Sequence, residues 1–223
     1  MNQRKIVLAT VTLALCLPVA ADASVYSVMN QVDVSGNVQG VTNSYGNTTG
    51  GLGLRASLYN GGLFGTAKYR HEFGATYQGY TGGNTNTIGL KLGYLFNASN
   101  ILAVGPYVGY EYNRFAQTNS YYAYHSSLTT NGLGGGLFAA ASLPGVNLTG
   151  YIGYLGGISE TQHVTGFAPA TFNSSFDLLQ MGVNAYYPLM ANVSFYVGLH
   201  DDDFTQRGAP NILRGDVGLG IQF

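Results

Sequence analysis

The chain has 223 residues, a formal net charge of −1 and only 9% charged residues, set against 33 glycines, 18 tyrosines and no tryptophan. A disordered chain is poor in aromatics and rich in charge, so that class is excluded. The near-neutral balance also gives no basic footprint for nucleic acid: without Arg4, Lys5 and Asp22 of the leader, seven bases face nine acids.

At the amino terminus, Arg4 and Lys5 precede an apolar run from Ile6 to Val19 and then the small-x-small triplet Ala21-Asp22-Ala23. The run falls short of the roughly 20 apolar residues that span a bilayer and is interrupted by Thr10, Thr12 and Pro18. Residues 1–23 therefore read as a secretory signal peptide and residues 24–223 as the mature domain. Cys16 is the only cysteine and lies in the leader behind Leu15, where a lipoprotein site wants a small residue, so neither a lipid anchor nor a disulfide is expected. About 200 residues remain, enough for one domain.

Ten segments then alternate apolar and small-or-polar residues, near 26–41, 50–60, 63–78, 86–96, 101–116, 130–143, 147–162, 175–187, 193–204 and 211–223. The connections alternate in length. Asn60-Gly61-Gly62, Asn97 to Asn100, Pro144 to Asn147 and Pro188 to Asn192 are tight, whereas Asn43 to Gly50, Gly79 to Asn86, Gln117 to Asn131, His163 to Ser174 and Thr205 to Pro210 are longer and polar. Val32, Val34, Leu52, Leu54, Leu58, Tyr69, Phe73, Ile88, Leu90, Leu92, Val104, Val108, Leu137, Ile152, Tyr154, Met181, Val183, Phe195, Val197 and Leu199 share the apolar phase. Asp33, Arg55, Lys68, Arg70, Glu72, Lys91, Glu111, Asp202, Arg214 and Asp216 share the other, five acids with five bases. A soluble sandwich would carry many more charges on its outer face. An apolar set turned to lipid and a charged set turned to the lumen fit instead an all-β, antiparallel, up-and-down transmembrane β-barrel of ten strands, eight being the alternative count. His71 and Asp177 fall on the apolar phase, either at the membrane edge or because the phase slips. Tyr94, Phe96, Tyr187 and Phe223 near the tight turns, and Tyr77, Tyr110 and Tyr112 near the long loops, have the positions of interfacial girdles.

The last segment, with Leu213, Val217, Leu219, Ile221 and Phe223 on one face and Arg214, Asp216, Gly218, Gly220 and Gln222 on the other, resembles the closing strand of Gram-negative outer-membrane β-barrel proteins. That resemblance implies insertion in the cell outer membrane among lipid and lipopolysaccharide, with the strand ending at Phe223 read by the barrel-assembly machinery. A barrel this narrow fills its interior with side chains, so its charges must pair. Register about the third-to-fourth connection sets Glu72 opposite Lys91, and register about the last loop sets His200 near Arg214 and Gly198 near Asp216.

Chemistry-bearing patterns are sparse. His200 and Asp202 share the inward phase within His200-Asp201-Asp202-Asp203, and the pair resembles that of the omptin proteases, but no facing Asp-x-Asp occurs in the early strands. Asp201, Asp202 and Asp203 are otherwise a solvated rim or weak oxygen ligands for a cation. His125-Ser126-Ser127 is similar to the lipid A deacylase pair in spacing only, for it falls in the longest loop with Tyr121, Tyr122 and Tyr124, a composition suited to binding. Gly134-Gly135-Gly136 and Gly156-Gly157 lack the helix of a phosphate-binding loop and read as close backbone packing or kinks; no cofactor is expected. The sequence thus favours a non-enzymatic, structural or adhesin-like envelope protein with a lumen plugged by ion pairs. A narrow, porin-like channel is the alternative.

Overall fold

A computed structural model describes residues 29–41, 48–77, 80–119, 124–172, 177–204 and 212–223; the leader lies outside them, as do Tyr121 and Tyr122. The strands are β1 (Gln31–Val41), β2 (Thr48–Asn60), β3 (Leu63–Tyr77), β4 (Tyr80–Tyr94), β5 (Phe96–Ser99), β6 (Leu102–Asn119), β7 (Tyr124–Leu143), β8 (Val146–Val164), β9 (Ala170–Phe172), β10 (Asp177–Met190), β11 (Val193–Phe204) and β12 (Ile212–Gln222). Each pairs antiparallel with its neighbours, and β1 closes on β12 from Gln31↔Gln222 to Val41↔Ile212. β5 continues the line of β4 after a break at Leu95, and β9 is a short addition to β8, so the closed ring has ten staves. Closure satisfies the backbone without an edge, the condition for crossing lipid with strands.

Alternation produces the two faces as the sequence implies. Val34, Leu52, Leu58, Leu92, Val108 and Leu137 stand outward and exposed, while Asp33, Glu72, Glu111, Asp202 and Arg214 are buried inside. The phase does not slip at His71 or Asp177: both lie toward the long-loop end, and His71 Nδ1 is 2.9 Å from Asn86 Oδ1, an oxygen that also accepts from the Tyr69 hydroxyl at 2.8 Å. Tyr94, Phe96 and Phe223 are exposed near the tight turns, but Tyr187 is buried and is no girdle residue; a register shift between Pro188 and Met190 follows it. A charge on the lipid belt gives a direct check. Val108→Arg is expected to cost about 2 to 4 kcal/mol, whereas Leu143→Arg, beside a tight turn, is expected to cost about 0 to 1 kcal/mol. Urea unfolding in lipid vesicles measures both, and equal costs would remove the belt.

Two further sequence expectations need correction. The stretches at Gly79 to Asn86 and Gln117 to Asn131 are largely strand rather than loop: β4 begins at Tyr80, and β6 and β7 stay paired out to Asn119↔Tyr124. Beyond the lipid belt both faces of a strand meet water, so apolar alternation disappears although the ladder continues. The same error misplaced a register. Glu72 pairs with Thr85 and Lys91 with Thr66, because the β3–β4 hairpin turns earlier than a loop of that length allows. About the last connection, His200↔Arg214 and Gly198↔Asp216 are found as expected.

Among the described residues β6, β7 and β8 run to 18, 20 and 19 residues. With β9 they form a polar wall above one side of the long-loop end, held by backbone bonds such as Thr165 N to His125 O at 2.9 Å.

Candidate functional site

The lumen is built from the tight-turn end upward. Met29, Phe64, Leu95, Ala103, Tyr107, Phe138, Ala140, Tyr186 and Tyr196 form one buried cluster there, with Tyr59 and Tyr151 packed against it. The Phe64 and Phe138 rings are 4.7 Å apart, and Tyr186 and Tyr196, register partners on β10 and β11, are 5.5 Å apart. Leu95 enters this floor because the break after β4 turns it inward, with its amide donating to Gly62 O at 2.7 Å. The result is an aromatic and aliphatic floor inside the barrel at that end.

Charges lie above the floor. Asp33 and Arg55 are register partners on β1 and β2 and pair at 2.7 Å. Arg55 also donates to the Tyr186 hydroxyl and lies 5.4 Å from the Tyr196 ring centroid, which ties this ion pair to the floor. Lys68 reaches Glu111 at 2.7 Å. Gly89 of β4 stands between these two in register, and a Cβ there would run into the Lys68 stem, so the missing side chain is what lets lysine cross a strand. Tyr107 uses the same device: it spans Gly136 of β7, and its hydroxyl lies where a Cβ on Gly153 of β8 would be.

Further hydrogen bonds and ion pairs complete the network, and those from Gln180 to Glu111 and from Arg214 to Glu72 join strands that are not neighbours. Gln180 on β10 and Asn113 on β6 donate to the two oxygens of Glu111, each at 3.1 Å. Glu72 lies between Arg70, at 2.7 Å, and Arg214, at 3.2 Å. Arg214 also pairs with Asp202 at 3.3 Å and donates to Gln39 at 3.1 Å. Asp216 sits 2.9 Å from His200 Nε2, while His200 Nδ1 is 3.1 Å from the Tyr151 hydroxyl. Lys91 lies over the rings of Tyr151 and Tyr107, 2.8 and 5.1 Å from their centroids. Removing either member of such a buried pair leaves its partner desolvated and alone, so the interior is strongly constrained.

The ten charged residues of the inward phase thus share one lumen. His200 and Asp202 face inward without touching each other: the histidine is held by Asp216 and Tyr151, the carboxylate by Arg214. Asp201, Asp202 and Asp203 do not converge, since successive strand residues point to opposite sides; among the described residues no group of three His, Cys, Asp or Glu side chains is placed to hold a metal. His125 lies on β7 in the wall, exposed, and Tyr124 begins that strand opposite Asn119. Sequence reasoning missed the floor and the polar residues Gln31, Ser35, Asn37 and Gln39, which β1 turns inward and buries together with the expected Asp33. Both were open to the parity rule, for Phe64 and Lys68, or Asn37 and Asp33, are an even number of residues apart.

No protein-family model matches the chain, and no curated protein matches it in sequence. Among solved structures, the outer membrane protease OmpT of Escherichia coli is similar over 86% of this chain and 95% of its own, with 12% identity and a TM-score of 0.52. Ail, the attachment invasion locus protein of Yersinia pestis, matches over 87% and 97% with 13% identity and a TM-score of 0.45. Neisserial surface protein A matches over 86% and 96% with 13% identity and a TM-score of 0.43. The first of these likenesses shows the fold, a ten-stave barrel of the outer-membrane kind; the two lower scores carry no argument.

Proposed function

We propose that the protein is an integral outer-membrane barrel, exported on the signal peptide of residues 1–23, with a non-enzymatic surface role. The tight-turn end faces the periplasm, the outer leaflet of lipopolysaccharide surrounds the other end, and the barrel anchors the polar wall of β6 to β9 outside the cell. One observation supports this reading: a buried aromatic and aliphatic cluster fills the tight-turn end, while among the described residues β6, β7 and β8 run on, with β9, at the opposite end. Rigid scaffolds commonly present binding segments in this way. The wall offers Ser126, Ser127, Thr129, Thr130, Thr161 and Gln162 on adjacent strands, a surface for hydrogen bonds to a partner outside the cell.

The proteolysis of OmpT is not carried over, because His200 and Asp202 are occupied by different partners. A narrow channel is the second reading, favoured by the charged cavity above the floor. Both readings meet one test. Residues 24–223, refolded into a planar bilayer, are expected to give no current steps, whereas discrete reproducible steps would replace the anchor with the channel. In a companion experiment residues 117–126 are replaced by Asn-Gly between the register partners Ala116 and Ser127. The heat-dependent gel mobility of the folded barrel should survive, and attachment of expressing cells to host-cell or sibling-cell layers should be lost. Unchanged attachment would move the surface role away from the wall.

A further inference from the structure

The outer surface of the staves carries one charge that the lipid belt does not call for. Among the described residues, Arg114 is the only Asp, Glu, Lys or Arg that β2 to β8 turn outward; the others on those strands take the inward phase. Arg114 is exposed, and none of the six ion pairs includes it. The outward acids Asp177, Asp201 and Asp203 lie on β10 and β11, three and four staves away around the ring.

Height decides what this arginine meets. The outward residues of β6 below it run from Leu102 through Val108 to Tyr112. At about 3.3 Å per residue and a tilt of about 40°, that run rises about 25 Å, the height of an apolar belt. Arg114 is the next outward residue, so it stands where the acyl chains end and the headgroups begin. Its register partner on β4 is Asn86, and the partner of Asn86 on β3 is His71, which puts the three on one face. Asn86 Oδ1 lies 2.9 Å from His71 Nδ1 and accepts from the Tyr69 hydroxyl, which leaves His71 Nε2 and Asn86 Nδ2 for a ligand. A guanidinium beside an imidazole and a carboxamide, with no acid on the same face nearby, suits a phosphate, whose oxygens match the arginine fork. Directly below, Tyr69, Ile88 and Tyr112 form the next outward row, an apolar surface for the tails of the molecule that carries the phosphate. We infer that Arg114, with His71 and Asn86, binds a phosphate on the headgroup of an outer-leaflet glycolipid, the lipid A of the surrounding lipopolysaccharide. The inference rests on the orientation proposed above, with the wall outside the cell.

The test uses residues 24–223 folded in detergent micelles, with native mass spectrometry following two added lipids: phosphorylated lipid A and its phosphate-free counterpart with the same acyl chains. The wild type should retain the phosphorylated lipid and shed the other, and Arg114→Gln, with the heat-dependent gel mobility of a folded barrel, should bind the phosphorylated lipid at least about tenfold more weakly. Equal retention of the two lipids by the wild type, or undiminished binding by folded Arg114→Gln, overturns the site; the first comparison needs no variant. Orientation is read separately, from Ser127→Cys in intact cells treated with a membrane-impermeant maleimide. A labelled wall without phosphate discrimination refutes the site alone. A wall that stays unlabelled while expressed and folded refutes the orientation, and with it the assignment to lipid A.

Discussion

Arg55→Met is expected to destabilise the barrel by about 3 to 5 kcal/mol, the usual cost of deleting one member of a buried ion pair. Asp33 has 0% of its surface exposed, its Oδ2 takes both Arg55 nitrogens at 2.7 Å, and the same guanidinium donates to Tyr186 of the floor. Removing Arg55 strands a carboxylate where water does not reach and withdraws the donor from a buried phenol. The double variant Asp33→Asn/Arg55→Met should recover most of the loss, since a neutral pair in the same space has no charge to desolvate. Urea unfolding in lipid vesicles reads both. A single variant costing less than about 1 kcal/mol, the range of exposed pairs, would show that solvent reaches the pair.

The second large effect concerns the floor. Phe64→Ala and Phe138→Ala are each expected to cost about 3 to 5 kcal/mol, as for large-to-small changes in a closed core. Phe64 is 1% exposed, and its ring covers the place where a Cβ on Gly93 would be, so neighbouring side chains cannot readily close the hole. The double variant opens a gap under the charged layer and should turn a silent bilayer into one with discrete current steps. Bilayers that stay silent with demonstrably folded double variant would place the barrier in the ion-pair network instead. Where the double variant does not fold, Phe138→Ala alone is read for brief openings absent from the wild type.

Legibility in the sequence followed the solvent. Where lipid lies on one side and ions on the other, every second residue must change character, and Leu52 to Leu58 or Val217 to Ile221 announce their faces without help. Above the belt that constraint ends, which is why Ser126 to Thr130 read as loop and proved to be ladder. Register was readable only where the turn was judged correctly: the His200↔Arg214 pairing survived, while Glu72 and Lys91 were set opposite each other by an overestimated loop. The floor was hidden for another reason. Phe64 and Phe138 are apolar residues inside a barrel whose apolar residues mostly face out, and only their parity with Lys68 and Gly136 betrays them. Glycine as a passage for Lys68 and Tyr107 requires knowing which strand lies beside which.

Those passages bear on how the molecule comes apart. Lys68 on β3 is bound to Glu111 on β6 across β4, and Tyr107 on β6 rests on β8 across β7, so side chains fasten together staves that share no backbone bond. A hairpin that starts to peel away must release its neighbour's neighbour as well. Loosening at one seam is thereby resisted two staves away, and the barrel is expected to open as a single event rather than strand by strand.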